Sequence, residues 1–471
     1  MTIETLPDEV LLKVFDFYRS VGSVFSQGWI TLVHVCRRWR SIVFASPLRL
    51  NLTLRCKASK PVRELQDTWP PLPIVIDAYR CLEEGADNTI AALEHNHRVR
   101  EIDIFIEEVP SSVLGSFARV LQKPFPELTH VTFLSANETT LVIPDTFLGG
   151  SAPRLRFCYM DYLPLPALRQ LLLSARHLVH LHLGIIPTSA YISPEAMVTC
   201  LSVATSLKTL HLTFSPSQSR PDRASQRPPP LIRTILPALT HFSFLGVNEY
   251  SEDFFSRIDA PLINTVKLFL PPQLTFGVSQ LHQFICRTEA LRVLNIANVD
   301  LEFCYSSVEL SQQMLGDSRP RVCLSIQRDG FDWQLPSLVQ VFSSLSPTLS
   351  TLETLNVRER ESQPFMPGWE DDTENNNRWL EFFRPFTSVK NLYLPKNLAS
   401  LVFPALQQPA EERVTMVLPV LQKLYLEGLQ PSGPIQDGIG QFVAARQLIG
   451  HPVTVEPWDG PEENACPSFA A

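Results

Sequence analysis

One six-residue pattern, apolar-x-x-apolar-x-apolar, recurs along most of this chain and limits what it can fold into. It stands at Val99–Ile104, Leu128–Phe133, Leu155–Met160, Leu178–Leu183, Leu207–Leu212, Leu239–Phe244, Ile263–Leu268, Leu291–Ile296, Leu352–Val357, Val389–Leu394 and Leu421–Leu426. Starts are 23 to 37 residues apart, except for a gap of 61 between Leu291 and Leu352. That gap is about two periods and predicts one degenerate repeat around Val322–Arg328, for about 12 repeats averaging roughly 29 residues. The alternation at the end of each hexad predicts a short strand with its apolar side turned to a core. Helical patterns fill several intervals: Pro194–Val203 behind Ser193, Val278–Arg287, Leu335–Leu345, Arg378–Phe386, and Gly440–Ile449 ahead of Gly450. One strand–helix unit cannot bury its own apolar face, so the units must stack. The expected class is α/β, a curved array over residues 99–450.

Composition agrees with many short elements. Prolines number 40 against 18 glycines in 471 residues. The net charge of −8 argues against a general nucleic-acid or anionic-membrane binder. Nine scattered cysteines without a C-x-x-C pair indicate neither a disulfide framework nor a zinc finger, and predict reduced thiols. The start of the chain turns acidic at once, unlike a signal peptide, and the uncharged stretch Ser20–Cys36 is too polar for a membrane span. The expected location is cytoplasmic, nuclear or both.

Residues 1–48 read differently from the array. Thr5-Leu6-Pro7-Asp8-Glu9 is a helix-start signal, and Val10, Leu11, Val14, Phe15 and Tyr18 follow at helical spacing. A second stripe runs through Leu32, Val35, Cys36, Trp39 and Ile42 among Arg37, Arg38 and Arg40, and Pro47 ends it. Two helices of this size need a partner surface, in this chain or on another protein.

Leu6-Pro7-x-Glu9-Val10-Leu11-Leu12-x-Val14-Phe15, followed by Val35-Cys36-Arg37-Arg38-Trp39-Arg40, resembles the F-box motif over roughly a tenth of the chain. The resemblance implies docking on a Skp-type adaptor and, through it, on a cullin–RING ubiquitin ligase. It implies that Leu6, Pro7, Val10, Leu11, Val14, Phe15, Val35, Cys36 and Trp39 form or brace that interface. A large aromatic is the usual anchor of such contacts, which singles out Trp39.

The array itself resembles a leucine-rich-repeat solenoid with loose spacing and few of the usual asparagines after the strand. The whole chain resembles the F-box-like proteins with irregular repeats that are expanded in fungi. Residues 49–98 read as a junction, 215–230 as a basic polar loop, 363–377 as an acidic insertion and 451–471 as a C-terminal tail.

No phosphate loop, nucleophile elbow, zinc-protease or kinase signature occurs, so no catalytic residue, metal or cofactor is expected. The fifth hexad position forms a column on the open face of the expected sheet. Its candidate target-binding residues are Tyr159, His182, His211, Lys267, Asn295, Tyr393 and Tyr425, with His180 beside them. Three imidazoles on one face could take a metal ion or serve as a pH-sensitive contact patch. No Asp or Cys ligand accompanies them in the pattern, which disfavours the metal. The expected function is that of a substrate receptor of a cullin–RING ligase, acting by proximity without catalytic residues of its own. The alternative is a protein-binding scaffold of the same fold with no link to ubiquitin transfer.

Overall fold

A computed structural model describes residues 6–21, 28–45, 52–57, 61–64, 71–79, 82–106, 111–135, 145–162, 167–186, 191–214, 232–271, 277–302, 305–312, 319–327, 334–359, 373–407, 417–427 and 434–458. The loop expected at 215–230, most of the insertion at 363–377 and the end of the tail from 459 lie outside them.

Three helices open the chain. α1 (Asp8–Val21) carries Asp8 and Glu9 in its first turn, where carboxylates meet the positive end of the helix dipole. The Pro7 carbonyl accepts the N–H groups of Val10 and Leu11, both at 3.1 Å. The second stripe becomes two helices rather than one: α2 (Gly28–Val35) and α3 (Arg37–Phe44). The break falls at Cys36, whose backbone is extended (φ −156°, ψ 170°) and whose Sγ accepts the Trp39 N–H at 3.4 Å. A thiol thus does the capping that a hydroxyl usually does, which hid this helix start in the sequence. Leu11, Phe15, Leu32, Val33, Ile42 and Val43 are buried and make up the small core of the three helices.

The chain divides into two compact units, residues 1–218 with 236–238, and residues 219–235 with 239–471. In the first, β1 (Leu52–Arg55), β2 (Ile74–Ala78), β3 (Val99–Ile106), β4 (His130–Ser135), β5 (Phe157–Asp161), β6 (His180–Ile186) and β7 (Thr209–Phe214) lie side by side in chain order, all parallel. Parallel neighbours need crossover connections, and helices provide most of them. They are α4 (Leu82–Glu94), α5 (Ser111–Val120), α6 (Leu168–Ser174) and α7 (Pro194–Leu201). Ser193 caps α7 by accepting the Ala196 N–H at 3.2 Å. β4 to β7 begin two residues into their hexads. Leu128, Leu155, Leu178 and Leu207 are therefore buried in the turn before the strand, and the other two apolar positions are buried on the strand itself. β1 and β2 belong to the segment that the sequence offers as a junction.

In the second unit, the short strands β8 (Thr234–Ile235) and β10 (Ile258–Asp259) pair in parallel. The main strands are β9 (His241–Leu245), β11 (Thr265–Leu270), β12 (Ile296–Leu301), β13 (Tyr305–Ser311), β14 (Arg321–Gln327), β15 (Thr354–Glu359), β16 (Asn391–Leu394), β17 (Lys423–Glu427) and β18 (Thr454–Trp458). The helices are α8 (Asn248–Arg257), α9 (Ser279–Arg287), α10 (Gln334–Leu349), α11 (Thr373–Phe383), α12 (Lys396–Gln407) and α13 (Pro434–Leu448). α8 has no clean apolar stripe in sequence, yet it buries Tyr250, Phe254 and Phe255. Phe254 stacks on Phe242 with centroids 5.1 Å apart, and Tyr250 stacks on Phe244 at 5.4 Å.

Two sequence expectations change here. The region of the 61-residue gap does hold a strand at the place expected for a degenerate repeat, β14 (Arg321–Gln327), but it also holds the unexpected strand β13. β14 pairs in parallel with β11, β13 runs antiparallel to both β14 and β12, and β12 pairs in parallel with β15. The second change concerns the hexad at Leu291. Leu291 ends a short 3₁₀ turn, and the strand starts only at Ile296. Leu294-x-x-Ala297-x-Val299 satisfies the same template three residues later, and all three of its apolar positions are buried. The small Ala297 concealed that register. Within the expected tail, β18 pairs in parallel with β17.

Candidate functional site

The open face of the first unit's sheet carries a column of facing side chains. Strand register sets Arg55 beside Asp77, then Asp103, Thr132, Tyr159, His182 and His211 in succession. Alternation turns these away from the core, because Leu181 and Leu183 on either side of His182 are buried. The rings lie flat on one another: Tyr159 on His182 at 3.8 Å between centroids and 5°, His182 on His211 at 4.1 Å and 6°. The His211 Nε2 is 3.0 Å from the Thr213 hydroxyl. A second column, two residues nearer the strand starts, holds His130, Phe157 and His180, with centroid separations of 5.8 and 5.9 Å.

This face is only half exposed, and its electrostatics follow from that. Burial, reinforced by neighbouring His211, pushes His182 down to about 3. Burial thus works against the pH-sensitive contact that the sequence allowed at His182. Burial also lowers His180, with help from Lys208. Asp103 moves the other way, to about 6, chiefly by burial and secondarily through Asp77. Asp161 is raised mainly by burial. One buried oxygen of each of these carboxyls, Oδ1, has no hydrogen-bond partner among the described residues. Gly184 makes room for Asp161, since a Cβ there would collide with Asp161 Oδ1 and press on His182 Nε2. The register of β6 against β7 also shifts between Leu183 and Ile186, where Ile185 has φ +37°. Among the described residues, no group of three or more His, Cys, Asp or Glu side chains is arranged to hold a metal ion.

In the second unit the equivalent row runs Ser243, Lys267, Cys323, Glu309, Asn298, Asn356, Tyr393, Tyr425 and Glu456. Asn298 stands where Asn295 was expected. Asn295 precedes β12, and its carbonyl accepts the N–H groups of Glu353 and Thr354. Asn356 donates to Asn298 Oδ1 at 2.7 Å. Tyr393 and Tyr425 stack at 4.2 Å and 6°, and Trp458 meets Tyr393 edge-on at 5.3 Å. Trp458 lay in the expected tail, so no hexad pointed to it.

The helical module divides its nine candidate residues by depth. Leu11 and Phe15 are buried in its core. Trp39 and Leu6 are half-buried, and Pro7 and Cys36 are exposed. Val10, Val14 and Val35 stand 40%, 44% and 56% exposed. Val10 and Val14 are one turn apart on α1 and share a face. Arg38 ties the ends of the module together, donating from Nη2 to the Leu6 carbonyl and to Asp8 Oδ1, both at 2.6 Å. That tether sets the turn bearing Val35 and Cys36 near the start of α1.

Residues 3–55 match the F-box-like family. No curated protein matches the chain. The F-box-like match runs to Arg55, the last residue of β1, so the module and the first strand are contiguous in sequence. The exposed valines and Pro7 belong to the F-box-like segment, whereas the stacked rings lie beyond it. Among the described residues, no helix is long and apolar enough to cross a membrane.

Proposed function

We propose that this chain is a substrate receptor of a cullin–RING ubiquitin ligase. Its F-box-like helices dock on a Skp-type adaptor, and its strand–helix array, read as irregular leucine-rich repeats in a solenoid, holds a target protein. The observation that carries this reading is the F-box-like match over helices that leave Val10, Val14 and Val35 exposed. Apolar side chains left on a helix face are the material of helix-on-helix docking. Pro7 and Cys36 join that surface, Trp39 braces it from behind, and Leu6, Leu11 and Phe15 support it from within. The target-binding residues are the stacked column of Tyr159, His182 and His211 with His180 in the first unit, and, within the second unit taken by itself, Lys267, Asn298, Tyr393 and Tyr425. Aromatic and imidazole rings with few charges suit a protein partner. Such a receptor accelerates transfer by holding target and conjugating enzyme together, which asks for no catalytic group of its own.

The test is a pull-down with purified Skp-type adaptor, comparing the full chain with one lacking residues 1–47, each checked for folding by circular dichroism. Capture of the full chain alone supports the reading. Failure of the folded full chain to bind sinks it and leaves the scaffold alternative, with the F-box-like helices acting as a cap.

A further inference from the structure

The ring stack of the first unit ends in a slot. His182 covers one face of Tyr159, at 3.8 Å between centroids and 5° between planes, and His211 lies beyond it. On the other side of Tyr159 the row continues to Thr132 and then to Asp103, one strand further at each step. Thr132 is short. Among the described residues, the space above it is bounded by an unstacked ring face on one side and a carboxyl on the other.

Charge is unbalanced around this slot. Asp103 is half-buried, and its Oδ1 has no hydrogen-bond partner among the described residues. Burial and, secondarily, Asp77 raise its pKa, and among the described residues no cation pulls it back. Arg55, in the same row, reaches Asp77 Oδ2 at 3.7 Å instead. Asp161, two residues past Tyr159 on β5, brings a second carboxyl near the ring. The other nearby charges stand toward the strand starts, where Glu101, Arg100 and Arg156 act on His130 and Lys208 acts on His180.

The width of the slot decides the class of ligand. Neighbouring strands are about 4.8 Å apart, so Tyr159 and Asp103 are rooted about 10 Å from each other. A cation drawn to a ring face sits within about 6 Å of the centroid, and its hydrogen bond to a carboxylate spans about 2.8 Å. The two together fill the slot. An ammonium group has three donors pointing in different directions, so it can rest on Tyr159 while bonding to Asp103 and to the Thr132 hydroxyl below. A guanidinium lying flat on Tyr159 would aim its donors along the slot and past Asp103, because they lie in its own plane. The last side-chain torsion of Asp103 is soft, so either oxygen can turn to the slot.

We propose that a lysine side chain of the target protein enters this slot, its ammonium held above Thr132 between the open face of Tyr159 and the Asp103 carboxyl. The proposal rests on the reading of this column as the target face, and is independent of adaptor docking.

The experiment is saturation-transfer NMR on the full chain with a blocked glycine–lysine–glycine tripeptide as the probe. The same tripeptide with glutamine or with arginine at its centre serves for comparison. The lysine probe should bind about tenfold more tightly than the glutamine one, through a ring contact and a charge-assisted hydrogen bond. Its terminal methylene should show the strongest transfer. Asp103→Asn should abolish the preference without lowering the melting temperature, whereas Glu101→Gln, toward the strand start, should leave it in place. Equal affinity for the lysine and glutamine probes overturns the proposal. So does a preference that survives Asp103→Asn or is lost in Glu101→Gln. Tighter binding of the arginine probe reassigns the slot to a planar cation and also overturns it. A lysine preference that emerges only on deletion of residues 215–230, which carry Arg220, Arg223 and Arg227, makes the chain's own arginines the occupant and overturns it too. Failure of adaptor capture by the wild-type chain, with the lysine preference intact, counts against the receptor reading alone.

Discussion

The Phe15 ring lies 4.8 Å from Trp39, with the planes tilted by 57°, so the buried core of α1 is roofed by the indole of α3. Trp39→Ala therefore removes a brace as well as a contact. The expected cost is about 2 kcal/mol of stability, less than the ~3–5 kcal/mol for a fully buried aromatic. Val14→Asp, on the exposed side of α1, should leave the urea midpoint unchanged and still abolish adaptor capture. Capture that persists in Val14→Asp removes that face from the interface.

His182 resists protonation in the folded chain, held to about 3 against its ordinary value of 6.5. The unfolded chain takes up that proton sooner, so the group's contribution is whole above pH 6.5 and is lost as pH falls toward 3. His182→Phe keeps a flat ring on Tyr159 and removes the titration. Its urea midpoint should decline less than that of the wild type between pH 7 and 4. Asp103, raised to about 6, works in the opposite sense and loses stability as pH rises from about 4 through 6. Asp103→Asn should accordingly melt a few degrees higher at pH 7. Parallel midpoint-versus-pH curves for wild type and His182→Phe would refute the assignment.

Gly184 is set against Asp161 in the sharpest approach on this face. Gly184→Ala should cost about 1–3 kcal/mol, the usual range for an overpacked site. Gly184→Ala combined with Asp161→Ala should recover much of the loss in thermal melts. Without that recovery, the glycine serves the bulge of β6 rather than the carboxyl.

Glu252 of α8 caps the next helix of the second unit, accepting the N–H groups of Gln280 at 2.7 Å and Leu281 at 3.0 Å. Burial raises its pKa, and these hydrogen bonds pull against that rise. Glu252→Ala leaves the two donors without their acceptor and should lower stability by about 1 kcal/mol. Glu252→Gln, which keeps one acceptor oxygen, should lose less; equal losses would point to packing as the cause.

Much of this arrangement is legible in the residues. Where the hexads carry large apolar groups, as from Leu128 to Leu212, strand position and facing side chains follow from period-two alternation. Alternation failed where small or polar residues took core positions. Ala297 hid the register of β12, and the buried Ser306 beside Val308 and Leu310 hid β13 altogether. The thiol of Cys36 gave no recognised cap signal, so α2 and α3 read as one helix. Which residues face outward could be read from spacing. How deeply they sit could not, because depth depends on everything packed around the face, and it is depth that fixes the charge of His182.

The reversed strand β13 imposes a parity rule on the second unit. A chain that switches direction once must switch again before parallel stacking can resume, and β12, β13 and β14 contain both switches. Other strand–helix units can be gained or lost singly without turning their neighbours. Here the two reversals come or go together, so this stretch behaves as an indivisible splice between two runs of parallel strands.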